Sequence, residues 1–320
     1  MPTTTANPAY KLELTSSPHV HSRWSTKQAM WFVVISLIPS LIASVLFYGF
    51  YQILIVLTSV AVCVGTEAGV KYIRKREITV KDGSAVITGI LLGMVLPPNF
   101  SLVFTAIGAV FAIAIGKEIF GGLGYNTFNP ALVGRAFLQA AFPVAMTTWT
   151  IPAFSDAVSK ATPLSSLKFD GIPAAIQPMF FGNIGGSIGE TSALAILIGG
   201  IFLLVFGIAN WRIPLSMIIG ILVFGALIWL INPAKYPDPL YHLFSGGFLF
   251  GAFFMATDWV TSPLTGKGMW IFGLGISLIV VVIRVFGGLP EGVMYAILLM
   301  NAVVPIINRY TKPKVFGETK

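Results

Sequence analysis

The sequence predicts an all-α polytopic membrane protein of about ten transmembrane helices. Hydrophobic residues make up 56% of the 320, charged residues only 10%, and the mean hydropathy is +0.85, values that water-soluble domains of this length do not approach. The apolar residues are also gathered into runs near the ~20 residues that a bilayer-spanning helix needs. Short polar or Gly- and Pro-rich connectors separate them.

Residues 1–27 are polar and rich in Thr, Ser and Pro, without a short apolar region followed by a small-residue cleavage site. No cleavable signal peptide is expected, so the first span acts as the insertion signal. Met30–Phe50 and Tyr51–Val70 read as a tight helical hairpin, closed by the charged connector Lys71-Tyr-Ile-Arg-Lys-Arg-Glu77. Ser84–Leu96 is short and stopped by Pro97-Pro98, which cannot continue a helix. Leu102–Phe120 and a segment near Asn126–Met146 complete a first membrane half over 28–146. A polar loop at 147–188 follows. The second half, 189–308, holds Thr191–Ala209, Ile213–Ile231, Leu243–Ala256, Trp270–Phe286 and Gly292–Asn308, and 309–320 form a tail.

Lysine and arginine counts orient these spans. With the N-terminal segment and the tail both in the cytoplasm, sixteen of the twenty basic residues fall on that side, and only Lys160, Lys168, Lys235 and Arg284 fall outside. The 147–188 loop is then external. Two short interrupted spans, beginning at Ser84 and Leu243, occupy the third position of each half. Each is followed by a turn-forming stretch (Pro97-Pro98-Asn99; Asp258 to Pro263) and later by Gly-Gly-Leu, at Gly121 and Gly287. This correspondence predicts a duplicated five-span repeat, and because five is odd the two copies must be inverted. Chance likeness between glycine-rich helices is the competing account.

Composition also removes several functions. The net charge of +8 comes from basic residues that flank apolar runs and form no aromatic-interleaved patch, so no nucleic-acid partner is expected. Cys63 is the only cysteine, which excludes an internal disulfide and a cluster held by four thiolates of this chain. His19, His21 and His242 lack ligand spacing within spans, which argues against haem. An electron carrier here would be organic or shared with a partner.

Two polar segments stand out against this background. Gly121-Gly-Leu-Gly-Tyr-Asn-Thr-Phe-Asn-Pro-Ala-Leu-Val-Gly-Arg135 fails as a dinucleotide fingerprint, because no strand precedes it and the GxGxxG spacing is missing. Its Pro130 suits a first helical turn, Asn126 and Asn129 offer donors and acceptors at membrane depth, and Arg135 can grip a carboxylate or phosphate. A broken helix whose polar atoms satisfy its own freed backbone is the alternative. The second segment, Asp156-Ala-Val-Ser-Lys-Ala-Thr-Pro-Leu-Ser165, is by itself a Ser/Thr-rich turn. Glu67, Lys117, Glu118, Glu190, Asp258, Arg284 and Glu291 are ionisable residues near or within spans. Lys117-Glu118 is expected at a cytoplasmic boundary, solvated or mutually paired. Asp258, in an interrupted helix, is a candidate for an ion path or a cofactor contact.

Both segments resemble signatures of the Rnf D-type and Nqr B-type subunit family, the first its G-x-N-x-F-N-P-A-x-x-G-R-A block, the second its D-x-x-[S/T]-x-A-T loop. Ser17-Pro-His-Val, Gly189-Glu-Thr-Ser-Ala-Leu-Ala, Met255-Ala-Thr-Asp-Trp-Val-Thr-Ser-Pro, Arg284-Val-Phe-Gly-Gly-Leu-Pro-Glu-Gly-Val and Leu299-Met-Asn-Ala-Val-Val-Pro resemble further blocks, so the likeness runs from about Ser17 to Asn308. Lys160 departs from the small residue usual in the loop. The resemblance implies FMN joined by a phosphoester to Thr162, with Asp156, Ser159 and Ala161 as parts of the attachment motif. It implies, less directly, a non-covalent riboflavin among the spans; Asn126, Asn129, Arg135 and Asp258 are expected to contact such a buried flavin or the cation path at the interface between the halves. It further implies a fold like that of ammonium and urea channels and a place in the cell (inner) membrane. The expected partners are Rnf subunits of A, B, C, E and G type, above all the FMN-bearing G-type one, and a flavin transferase for maturation. The function so implied is that of a subunit of an ion-translocating ferredoxin:NAD+ oxidoreductase, not active alone; no catalytic residue and no metal ligand is expected in this chain. The short N-terminus favours the Rnf D type over the B-type subunit of a Na+-translocating NADH:quinone oxidoreductase, and a small-solute channel is the reading from another class.

Overall fold

The computed structural model describes residues 24–149, 162–182, 184–233 and 235–313, and among them every regular element is helical. Helix α1 (Thr26–Tyr48) starts where Ser25 and Gln28 form a reciprocal capping box that satisfies free backbone donors. Gly49 breaks it, and α2 (Tyr51–Ile73) returns, as the hairpin reading expects. Helix α3 (Ser84–Met94) is short, and α4 (Leu102–Ala114) precedes a single 3-10 turn at Glu118–Phe120. Helix α5 (Pro130–Ala141) begins later than the expected Asn126, because Pro130 can only enter at the first turn and Asn129 caps it. A short helix, Pro143–Thr147, ends the first half.

The second half opens with α6 (Ala193–Val205), followed by α7 (Arg212–Ile231). The span Leu243–Ala256 is interrupted, as the sequence predicts. Pro239–Phe244 is one short helix, Gly246 turns the chain in the left-handed region (φ 61), and α8 (Phe248–Phe250) runs into a π-helical turn over Gly251–Met255. Helices α9 (Gly266–Phe286) and α10 (Val293–Tyr310) complete the membrane part. Among the described residues six helices are long and apolar enough to cross a bilayer, α4 counted with its 3-10 turn as Leu102–Phe120; α3 and α6 are apolar but shorter, and the remaining two expected spans, Asn126–Met146 and Leu243–Ala256, are broken into shorter helices. The chain is an all-α polytopic membrane protein.

Packing follows the same order in both halves. Helix α2 packs on α3 and α4, and α7 packs on Pro239–Phe244, on the π turn Gly251–Met255 and on α9; α4 meets α5 as α9 meets α10. Across the halves α1 lies on α6 and α5 on α10. The α7–α9 seam is close because small residues face each other: a Cβ on Gly273 would overlap Ser216 Oγ, and one on Gly220 would lie 2.7 Å from Ser277 Cβ. Outward-facing Ile42, Leu46, Leu54, Leu57, Leu227 and Ile231 are exposed, as lipid-facing residues of a bundle are.

Candidate functional site

Two cavities gather the polar residues. The larger, about 540 Å³, lies at the end of the bundle where the 147–188 loop joins it, and its wall includes Thr162, Ser165, Arg135, Glu291 and the aromatic residues Trp149, Phe169 and Tyr295. That volume falls in the range of roughly 300–1,000 Å³ occupied by cofactor-sized ligands. Thr162 is only 5% exposed. It is the N-cap of a short helix, Pro163–Ser165: its Oγ1 accepts from Ser165 N–H at 3.2 Å and shares a hydrogen with Ser165 Oγ at 2.9 Å. Asp156, Ser159, Lys160 and Ala161 lie outside the described residues.

The segment after Thr162 is tied down on two sides. Tyr241 Oη donates to Pro163 O at 2.6 Å, and Leu164, Met179 and Tyr241 form a small buried cluster. Lys168 Nζ donates to the carbonyls of Arg284 (3.1 Å), Leu289 (2.9 Å) and Gly287, so a cation sits on the C-terminal end of α9, where the helix dipole favours it. Loss of hydration works the other way and lowers the Lys168 pKa from its ordinary value.

Arg135 is 6% exposed and bridges the halves, with Nη2 2.7 Å from Glu291 Oε2 and Nη1 3.5 Å from Glu190 Oε1. Its Nε has no partner. The sequence reading groups Arg135 with Asn126, Asn129 and Asp258, but the fold separates them. Arg135 belongs to the Thr162 cavity, while the other three line the smaller cavity.

That second cavity, about 100 Å³, is walled by Asn126, Asn129, Asp258, Lys117, Thr88 and Trp259. Asn129 spends its side chain on helix ends: Oδ1 accepts from the N–H groups of Ala131 and Leu132, and Nδ2 donates to Met255 O at 3.3 Å, where the π turn ends. Asn126 Nδ2 donates to Phe128 O at 3.1 Å. Asp258 Oδ2 accepts from Thr261 Oγ1 at 3.0 Å. The broken-helix account therefore covers both asparagines. The arrangement does not fit a tricyclic flavin, since 100 Å³ is far below the ~300 Å³ at which ligand pockets begin.

Lys117 departs from its expected solvated boundary. It is 2% exposed and pairs with Glu67, not Glu118: Nζ lies 2.7 Å from Glu67 Oε2 and 2.6 Å from Ser84 Oγ, while Lys71 holds Glu67 Oε1 at 2.6 Å. Both Glu118 carboxylate oxygens are buried without a hydrogen-bond partner. Sequence reasoning noted Glu190, Arg284 and Glu291 as ionisable residues near spans but left them out of the site. It missed Asn301, whose Oδ1 accepts from Asn129 N–H and whose Nδ2 donates to Thr261 O. An asparagine inside an apolar helix was the available signal.

The profile of the NQR2, RnfD, RnfE family matches residues 13–317. A relative from Clostridium ljungdahlii, the D-type subunit of a proton-translocating ferredoxin:NAD(+) oxidoreductase complex, is 45% identical, with 95% of this chain and 96% of that protein covered. The D-type subunit of the Na(+)-translocating ferredoxin:NAD(+) oxidoreductase complex of Acetobacterium woodii is 44% identical over 97% of this chain and 96% of its own. Its counterpart in the ion-translocating oxidoreductase complex of Cronobacter sakazakii is 38% identical over 95% and 98%.

Proposed function

The chain belongs to the NQR2, RnfD, RnfE family, and from that premise we propose that it is the D-type membrane subunit of an ion-translocating ferredoxin:NAD+ oxidoreductase, carrying FMN as a phosphoester on Thr162. The observation that carries the reading is the buried Thr162 hydroxyl in the wall of a 540 Å³ cavity that also holds the Arg135 guanidinium. Bound there, FMN would supply reversible one-electron chemistry. Thr162 would hold the phosphate, Phe169, Trp149 and Tyr295 in the same wall would lie beside the planar ring, and Arg135 sets a fixed positive charge beside the site. Tyr241 and Lys168 keep the segment against the bundle.

The family profile also covers B-type subunits of Na+-translocating NADH:quinone oxidoreductases; the named relatives at 38–45% identity favour the Rnf reading. In this reading the electron arrives from the FMN of the G-type subunit, the A, B, C and E types complete the assembly, and a separate transferase attaches the flavin. The fold moves Arg135 to the side of the Thr162 loop, which leaves fifteen of the twenty basic residues on the other side; this count still supports both termini in the cytoplasm and the Thr162 loop outside the cell membrane. An inverted five-helix repeat is supported by the matching packing order of α2–α5 and α7–α10. Asp258, beside the small inner cavity, suits a cation or water better than riboflavin. The direct test is intact mass: the purified protein should exceed its sequence mass by one FMN less one water, and an unmodified mass would overturn the assignment.

A further inference from the structure

At the wall of the Thr162 cavity the chain gathers a four-membered ionic group, Arg135, Glu190, Arg284 and Glu291; Arg135 and Glu291 line the cavity, Glu291 is half-buried and the other three are buried. Its charges balance at two and two, yet its bonding is incomplete. Arg135 touches both carboxylates, whereas Arg284 spends Nη1 on His242 O (2.5 Å) and Nη2 on Ser245 O (2.9 Å). Glu190 Oε2, Glu291 Oε1 and the Nε atoms of both arginines are buried without partners. Backbone closes the group from one side: a Cβ on Gly247 would lie 2.5 Å from Glu190 Oε1, and one on Gly246 3.6 Å from Glu291 Oε1. Two carboxylates that share one guanidinium in a low-dielectric place cannot both stay ionised without cost. Glu190 Oε2 and Glu291 Oε1 can each take a proton while the Arg135 contact at the other oxygen is kept, and Glu190 is the less compensated of the two: its contact with Arg135 is 3.5 Å against 2.7 Å, and its side chain is 3% exposed against 21%.

We propose that Glu190 is a protonation site linked to the redox state of the Thr162 cavity. When the group held there gains one electron from a reduced partner flavoprotein, negative charge appears on the cavity side of Arg135 and competes for its field. Glu190 Oε2 then takes one proton from water on the loop side of the membrane, an O–H bond forms, and the carboxylate becomes a carboxylic acid; reoxidation returns the proton. Each electron is thereby compensated by one proton. The groups that face Glu190 are Arg135 from α5, Arg284 from α9, Glu291 before α10 and the Tyr48 phenol from α1, with His242 beyond Arg284. The inference rests on the Thr162 reading.

The test is a redox titration of the protein-bound flavin in the purified complex at several pH values, combined with infrared difference spectra on reduction. Wild type should show a reduction equilibrium that changes up to tenfold per pH unit and a protonated-carboxyl C=O band that shifts in D2O. E190Q should flatten the pH dependence and lose the band, and E291Q should keep the band. An E190Q slope equal to wild type, or no carboxyl band in wild type, overturns the proposal; the second readout needs no variant to fold. Wild type without in-gel flavin fluorescence overturns the Thr162 reading instead, so the two failures are told apart.

Discussion

The phenolic hydroxyl of Tyr241 donates to the carbonyl oxygen of Pro163 at 2.6 Å, so a residue of the second half holds the chain one position after Thr162. The bond is buried and its acceptor lies in the first turn of the Pro163–Ser165 helix. Tyr241→Phe keeps the ring in its apolar cluster and removes only this bond, a loss of about 1 kcal/mol. Amide exchange over residues 164–170 should then quicken by about fivefold, with the rest of the bundle unchanged. Exchange at the wild-type rate would mean that Lys168 alone anchors the segment.

Thr162→Ala removes the only hydroxyl that the reading assigns to FMN. In-gel flavin fluorescence of the denatured protein should vanish, because a phosphoester survives denaturation and a non-covalent flavin washes away. Helix formation is a separate matter: loss of the N-cap costs about 1 kcal/mol and should not prevent assembly. Fluorescence retained by the variant would move the attachment to another residue, with Ser165, 2.9 Å away, the first to examine.

The membrane class and most helices are legible in the sequence because both depend on local composition. Runs such as Thr26–Tyr48 and Arg212–Ile231 are apolar enough to be located without any tertiary information. Helix ends are less legible where one residue decides them, as Pro130 and Gly246 do. The site was legible by residue and not by grouping. Arg135 and Thr162 each stood out, but their shared cavity depends on how α5 meets the loop after Lys160. In the same way, Lys117 looked like a partner of Glu118 because they are adjacent, whereas the fold delivers Glu67 from fifty residues away. Ion pairs across helices are not encoded in local spacing.

Orientation can be tested with thiol labelling, since Cys63 is fully buried and contributes no background. A cysteine at Ser155 should react with an impermeant reagent applied from outside intact cells, and one at Lys75, in the exposed turn after α2, should react only after permeabilisation. The reverse pattern would put Thr162 on the cytoplasmic side and remove its proposed access to the external flavoprotein partner.

The inner cavity gives a prediction that separates structure from transport. Asn129 caps α5 and also satisfies Met255 O, so Asn129→Ala should cost roughly 1–2 kcal/mol through the cap and leave a buried carbonyl with one partner fewer. Thermal stability of the protein should fall, while each assembled complex keeps its ratio of ions moved to electrons passed. Asp258→Asn is the contrasting change, because the amide oxygen can still accept from Thr261 Oγ1 and the loss beyond the charge is the long 3.4 Å contact from Val260 N–H. That variant should melt like wild type and keep the FMN fluorescence of Thr162, yet transport fewer ions per electron, since a cation near the cavity loses its fixed countercharge. Ion gradients undiminished in Asp258→Asn would make this aspartate a turn-forming residue like Asn129 and leave the ion path to the Glu67–Lys117 side of the same cavity.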